Sequence, residues 1–383
     1  MADVTVDANY PGGNIVVEGV DGNDVTVHQD LRDTKGWWFY WGFRVRGSAG
    51  RRLTVRFTNR DVIGPRGPAV SADDGRSWSW LGRKAVRADA KGVSFAYTVP
   101  ADARAVRFCL AVPYQQADLQ RFLKRHARSK HLAVRELCTT RGGRSVERLH
   151  VGRLAGEPKY RVLVTCRHHC CEMMASHVLE GLLSSALAPD GDGPWFRENV
   201  ELLAVPFMDA DGVEQGDQGK NRRPHDHNRD YAGTSRYASV RALRVLAPAW
   251  SKGRLRVALD LHCPWIRGGM NERIYLVGNA DPAIWAQQQA FGRLLERVRS
   301  GPLVYRASDN LAFGKSWNAP ANYKGGKSCS RWAGELAGIR LASTIEFPYA
   351  NVARKTITAE AARAFGADLA RALRRYLADP ATE

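Results

Sequence analysis

Residues 160–181 read YRVLVTCRHHCCEMMASHVLEG. An apolar run rich in β-branched residues ends in a knot of imidazole, thiol and carboxylate, and apolar residues at helical spacing follow at once. A strand without polar alternation is buried on both faces, as in a parallel sheet covered by helices. Working outward, the same alternation recurs. Strand-like runs in ENVELLAVPFMD (198–209), RLRVALDLH (254–262) and LASTIEF (341–347) are separated by amphipathic stretches at 239–250 and 282–300, and another follows at 357–378. This texture predicts an α/β domain with a mostly parallel sheet. Its first helix is expected over 115–128, QQADLQRFLKRHAR.

Upstream the texture is different. Short alternating runs (NIVVEGV, DVTVHQDL, WWFYWGFRVRG, LTVRFTN, VSFAYTVP, AVRFCLAVPY) are broken by Gly/Asp turns. Such spacing predicts an N-terminal antiparallel β-sandwich. The boundary falls near Pro113, giving expected domains of 1–112 and 113–383. In the aromatic run Trp37, Trp38, Phe39, Tyr40, Trp41 the prediction is mainly core packing.

The formal charge of +18 is unevenly spread: residues 1–112 carry +4, leaving +14 on 113–383. A positive field attracts acidic partners, although a basic, solvated surface accounts for the number equally well. The N-terminus MADVTVDANYPGGN lacks a basic segment followed by an apolar run, and no stretch is long and apolar enough to span a membrane. The seven cysteines have no regular spacing. Together these predict a cytoplasmic, reduced protein with no membrane partner.

Chemistry-bearing residues stand at the C-terminal ends of the strand-like runs, where open α/β sheets place their sites. His169-x-x-Glu172 follows the first, and His262 ends ALDLH. Two imidazoles and a carboxylate form a three-ligand set suited to catalytic zinc. The spacing alone is weak, because HxxE arises by chance and strand-end histidines are often merely packed. Glu346 inside Ile345-Glu346-Phe347 needs a reason of its own, since an unpaired buried carboxylate is unfavourable. An edge position, an arginine partner, or a general base facing activated water would each supply one.

His169-x-x-Glu172, the Asp211-Gly212 loop, Asn228-Arg229, Asp260-Leu261-His262 and Glu346 resemble the ordered motifs of the M14 zinc carboxypeptidases. The nearest branch is the cytosolic carboxypeptidases, which trim glutamate from protein tails and side chains. WWFYWGF and Val112-Pro113-Tyr114 match that branch's N-terminal sandwich and its PY lead into the catalytic domain, so the resemblance covers nearly the whole chain. It implies an α/β/α zinc carboxypeptidase domain with a mixed, mostly parallel sheet. It also implies one zinc per chain on His169, Glu172 and His262, with Glu346 as the base. Arg229 with Asn228 would grip the substrate's C-terminal carboxylate, and Tyr323 would close over it. Arg331 would lie on the floor of the pocket for the terminal side chain, favouring acidic peptide or protein ends; an i,i+4 pair with Glu335 is its structural alternative. Asp260 would orient His262 or simply pack.

The chain departs from the family twice. HPGE is replaced by His169-Cys170-Cys171-Glu172, whose thiols are expected to be small and buried yet a point of oxidation sensitivity. Counting back to the family's carbonyl-polarising arginine lands on Gly219; of Lys220, Arg222 and Arg223, the expectation is Arg222. A loose phosphate-loop match ending in Gly326-Lys327-Ser328 lacks the preceding strand it needs. Two rival readings remain: a zinc amidase of the aspartoacylase type, and a catalytically degenerate basic binding protein. Retention of the whole set with Glu346 speaks against the second, and no nucleic-acid partner is expected.

Overall fold

The computed structural model describes residues 3–379. The N-terminal part forms two five-stranded sheets. In one, Gly42–Arg46 and Ala105–Cys109 pair antiparallel at the centre. In the other, Arg52–Phe57 lies between Asp24–His28 and Gly92–Thr98, and the pairing of Asp24–His28 with Arg52–Phe57 is parallel, an exception to the antiparallel expectation. Alternate residues of both sheets meet in a shared core, with Phe95 and Phe108 rings 5.0 Å apart and Trp41 and Phe57 rings 4.8 Å apart. Phe39, Tyr40 and Trp41 are buried. The chain from Trp37 to Trp41 lies outside the sheet ladders, and the strand begins only at Gly42.

After a helix over Gln116–Arg125 comes a seven-stranded mixed sheet. Its four central strands, Val200–Val205, Tyr160–Cys166, Leu255–His262 and Leu341–Glu346, run parallel. Tyr275–Val277 is antiparallel at one edge, and the hairpin of Leu132–Thr139 and Ser145–Gly152 closes the other. From Tyr160–Cys166 the chain goes first to one neighbour and later to the other. A crevice therefore opens at the carboxyl ends of the strands on either side of this reversal. The register pairs His262 directly with Glu346.

Helix Met173–Leu187, buried along nearly its whole length, lies beside helix Ala359–Ala378. Their closest approach is made by two glycines. A Cβ on Gly181 would stand 2.0 Å from the Arg363 carbonyl oxygen, and one on Gly366 would stand 2.1 Å from that of Val178. Among the described residues no helix is long and apolar enough to cross a membrane.

Candidate metal centre and cleft

Tyr160–Cys166 delivers His169 just past its end, and Glu172 follows at the N-cap of helix Met173–Leu187. His262 arrives from the last position of the adjacent strand. All three side chains are buried. His169 Nδ1 lies 2.8 Å from Glu172 Oε1, His262 Nδ1 lies 2.7 Å from Glu172 Oε2, and the two Nδ1 atoms are 3.2 Å apart. Donors bound tetrahedrally to zinc at about 2.0–2.1 Å are separated by roughly 3.3 Å, close to this spacing.

The outer ring nitrogens fit the same purpose. His169 Nε2 is 3.2 Å from Asp226 Oδ1, and His262 Nε2 is 2.7 Å from Asp260 Oδ2. A carboxylate on Nε2 keeps the proton there and leaves the Nδ1 lone pair for a cation. Burial works against ionisation of Glu172, but the His169 and His262 rings outweigh it and hold the carboxyl well below its usual range. The donor set therefore fits zinc.

Glu346 is buried beside His262, and its Oε2 has no hydrogen-bond partner. Burial pushes its carboxyl up to about 7, while the charges of His262 and Lys220 pull the other way. Neither sheet-edge exposure nor an arginine partner accounts for it.

Arg222, expected to face the scissile carbonyl, is instead held by carboxylates. Its guanidinium lies 2.5 Å from Asp209, 3.0 Å from Asp217 and 3.8 Å from Asp33. Besides His169, the positive group whose field reaches both Glu346 and Asp226 is Lys220, whose ammonium sits 6.0 Å from the Trp38 ring. The residue before it has to be glycine: Gly219 has φ +73°, and a Cβ there would lie 2.5 Å from the Cys170 nitrogen.

Asn228 also departs from expectation. Its Oδ1 accepts from the Cys329 backbone at 2.8 Å and its Nδ2 packs 3.0 Å from His262 Nε2, so it is turned into the protein and away from a substrate clamp. Arg229, Tyr323 and Arg331 do come together. Both guanidiniums lie over the Tyr323 ring, Arg229 at 5.1 Å and Arg331 at 3.4 Å, and its hydroxyl donates to Asn318 at 2.7 Å. Arg331 does not pair with Glu335, which takes Lys327 at 2.6 Å; its Nη2 is buried and unpartnered. Tyr323 and Arg331 line a cavity of about 450 Å³ whose two acids are both engaged, Glu335 by Lys327 and Asp281 as the N-cap of helix Pro282–Val298.

No family model matches the chain. In sequence it is 24% identical to cytosolic carboxypeptidase 2 of Xenopus tropicalis over 60% of this chain, which spans 27% of the frog protein's length. It is 21% identical to cytosolic carboxypeptidase 6 of Caenorhabditis elegans over 77% of this chain and 69% of that protein. The fold matches a metallo-carboxypeptidase from Burkholderia cenocepacia with a TM-score of 0.81 at 20% identity, covering 97% of this chain and 98% of that one. In sequence the chain is similar to cytosolic carboxypeptidases, and its fold is that of the metallo-carboxypeptidases. A further M14 structure, the Pseudomonas aeruginosa metallo-carboxypeptidase in complex with (2-guanidinoethylmercapto)succinic acid, matches with a TM-score of 0.77 at 20% identity, covering 97% and 99% of the two chains.

Against this M14 frame the two inserted thiols are bystanders. Cys170 Sγ donates to the Asp217 carbonyl at 3.1 Å, and Cys171 Sγ lies 3.8 Å from the Tyr349 hydroxyl. Burial pushes the Cys171 thiol up to about 12 and Cys170 well above its ordinary range. Protonated and enclosed, they are poor targets for oxidants, which removes the expected sensitivity. Asp226, His168 and Tyr231 were not singled out by motif reasoning, though all border the centre. The only trace of them in the sequence is the doubled histidine at 168–169 and the acid–imidazole alternation of His225-Asp226-His227.

Proposed function

We propose that this chain is a zinc carboxypeptidase acting on peptide or protein C-termini, with a preference for terminal Glu or Asp. The observation that carries this reading is the unpartnered Glu346 carboxylate oxygen beside three donor side chains converging at 2.7–3.2 Å. Zinc on His169, Glu172 and His262 would supply Lewis acidity toward the scissile carbonyl and activate water. Glu346 takes a proton from the attacking water and returns it to the leaving amine. Lys220 places a positive charge where the carbonyl oxygen becomes anionic.

Arg229 and Arg331 face one aromatic ring, and burial, with the Arg229 charge adding to it, lowers the Arg331 pKa. Two neighbouring guanidiniums are best neutralised by two carboxylates, which a C-terminal acidic residue supplies as its main-chain and side-chain groups. The seven cysteines are all unpaired, in keeping with a reducing cytoplasm. We divide the chain at 112/113 into a sandwich and a catalytic part.

The test is zinc analysis followed by a panel of peptides ending in Glu, Asp, Lys, Phe or Ala, on wild type, Glu346→Gln and Arg331→Ala. Expected are chelator-sensitive release of Glu, loss of about 10²–10⁴-fold in kcat with Glu346→Gln at unchanged zinc content, and loss of the acidic preference with Arg331→Ala. A wild-type preference for Phe or Lys would remove the acidic-pocket assignment and leave the metal assignment standing.

A further inference from the structure

His168 is fully buried and has no role in the catalytic machinery assigned above. Its ring lies nearly parallel to that of His262, centroids 5.8 Å apart with 12° between planes. Its Nδ1 is 2.8 Å from Asp260 Oδ1, and its Nε2 is 2.7 Å from the Tyr231 hydroxyl. Thr165 Oγ1 donates to the same Asp260 oxygen at 2.7 Å, and His262 Nε2 meets the other oxygen at 2.7 Å.

One assignment of protons runs through this chain from Tyr231 to His262. Burial holds the Tyr231 phenol protonated, so it donates to His168 Nε2. That leaves the Nδ1 hydrogen of His168 facing Asp260 Oδ1, a 2.8 Å contact that lies off the line of an ideal hydrogen bond. Asp260, thus held on one oxygen by Thr165 and His168, accepts from His262 Nε2 with the other. His168, Asp260 and Cys329 also bring three donor atoms within 4.8 Å of one another, which could suggest a second cation site. That alternative fails because both Asp260 oxygens are already engaged and burial keeps the Cys329 thiol protonated.

We propose that His168 is a positioning residue for the metal centre: it fixes the plane of the Asp260 carboxylate against His262, and Tyr231 selects the tautomer of His168 that can do so. The inference rests on His262 being a metal ligand. Without His168, Asp260 Oδ1 keeps only the Thr165 hydroxyl, and the carboxylate is free to turn away from the imidazole it orients. Partners that orient a metal-bound imidazole commonly contribute about 10–100-fold in metal affinity.

The experiment measures zinc dissociation constants by chelator competition on the full chain, together with the melting temperature of the metal-free protein. The variants are His168→Phe, which keeps the ring and loses both polar contacts, His168→Asn, whose amide can still donate to Asp260, and Tyr231→Phe. Expected are an affinity loss of about 10–100-fold for His168→Phe, substantial recovery in His168→Asn, and a smaller loss of about 3–10-fold for Tyr231→Phe. If His168→Phe does not fold, the other two variants decide the matter. Unchanged zinc affinity in the folded variants, with or without a lower melting temperature, overturns the proposal. Failure of the wild type to take up zinc would instead overturn the metal reading beneath it.

Discussion

Glu346 is a carboxyl group buried in an apolar strand with one oxygen unpartnered. Burial raises its pKa to about 7, and Lys220 and His262 restrain the rise. A base works only when ionised, so its activity is present above that pKa and is lost as pH falls through it. The kcat/KM profile is therefore expected to have an acid limb near neutrality. Lys220→Ala should shift that limb to higher pH, because the cation that favours the ionised form is gone, and should lower kcat about 10²–10³-fold through the unstabilised oxyanion. Rate profiles between roughly pH 5.5 and 9 read both effects; an unmoved limb would separate Lys220 from Glu346. At this scale the sequence was informative where one residue violates its surroundings, as Glu346 does in an apolar strand and His169-x-x-Glu172 does after one. It was uninformative where partners are distant along the chain. Arg222 and Lys220 look equivalent in GKNRR, and only Asp209, Asp217 and Asp33 closing on Arg222 distinguish them.

Helix Met173–Leu187 begins at the Glu172 N-cap, so whatever shifts this helix shifts a proposed metal donor. Its contact with helix Ala359–Ala378 relies on Gly181 and Gly366, where an added methyl group would meet a backbone carbonyl at 2.0–2.1 Å. Gly366→Ala is expected to destabilise the fold by about 1–3 kcal/mol or more, as overpacked cores do, and to weaken zinc retention with it. Thermal unfolding with and without zinc measures both; an unchanged melting temperature would mean that the helices can part at no cost. Both helices were readable from their apolar period, because each presents a long face to one neighbour. The hairpin Leu132–Gly152 was not, since its first strand is largely exposed and carries charges that interrupt the alternation. The aromatic run was half readable: Phe39 to Trp41 enter the core, whereas Trp37 and Trp38 are half-buried against it and meet Trp265, 5.3 and 4.9 Å away, on the loop that follows His262.

Across the whole molecule two features act together. The +18 charge raises the local concentration of acidic peptides. Increasing ionic strength should therefore raise KM for Glu-ended substrates severalfold and leave kcat nearly constant, because screening at about 0.15 M salt already acts over roughly 8 Å; a salt-independent KM would confine the attraction to the pocket. The second feature is the seam between the sandwich and the loop that carries Lys220. Asp33 accepts the Gln218 and Gly219 amides at 2.8 Å each, and Gln218 bridges both backbone groups of Tyr40. Thr34 Oγ1 donates to the Lys220 carbonyl at 2.6 Å, and the Lys35 amide reaches Asn221 at 2.9 Å. Asp33→Ala should thus lower kcat/KM while sparing zinc content, and a chain starting at residue 113 should bind the metal yet turn over poorly. For anyone grafting this catalyst onto another scaffold, the transferable cassette is larger than the sheet that bears the imidazoles: the graft would have to bring along the acidic turn at Asp33, from a stretch of sequence that contributes no reacting group at all.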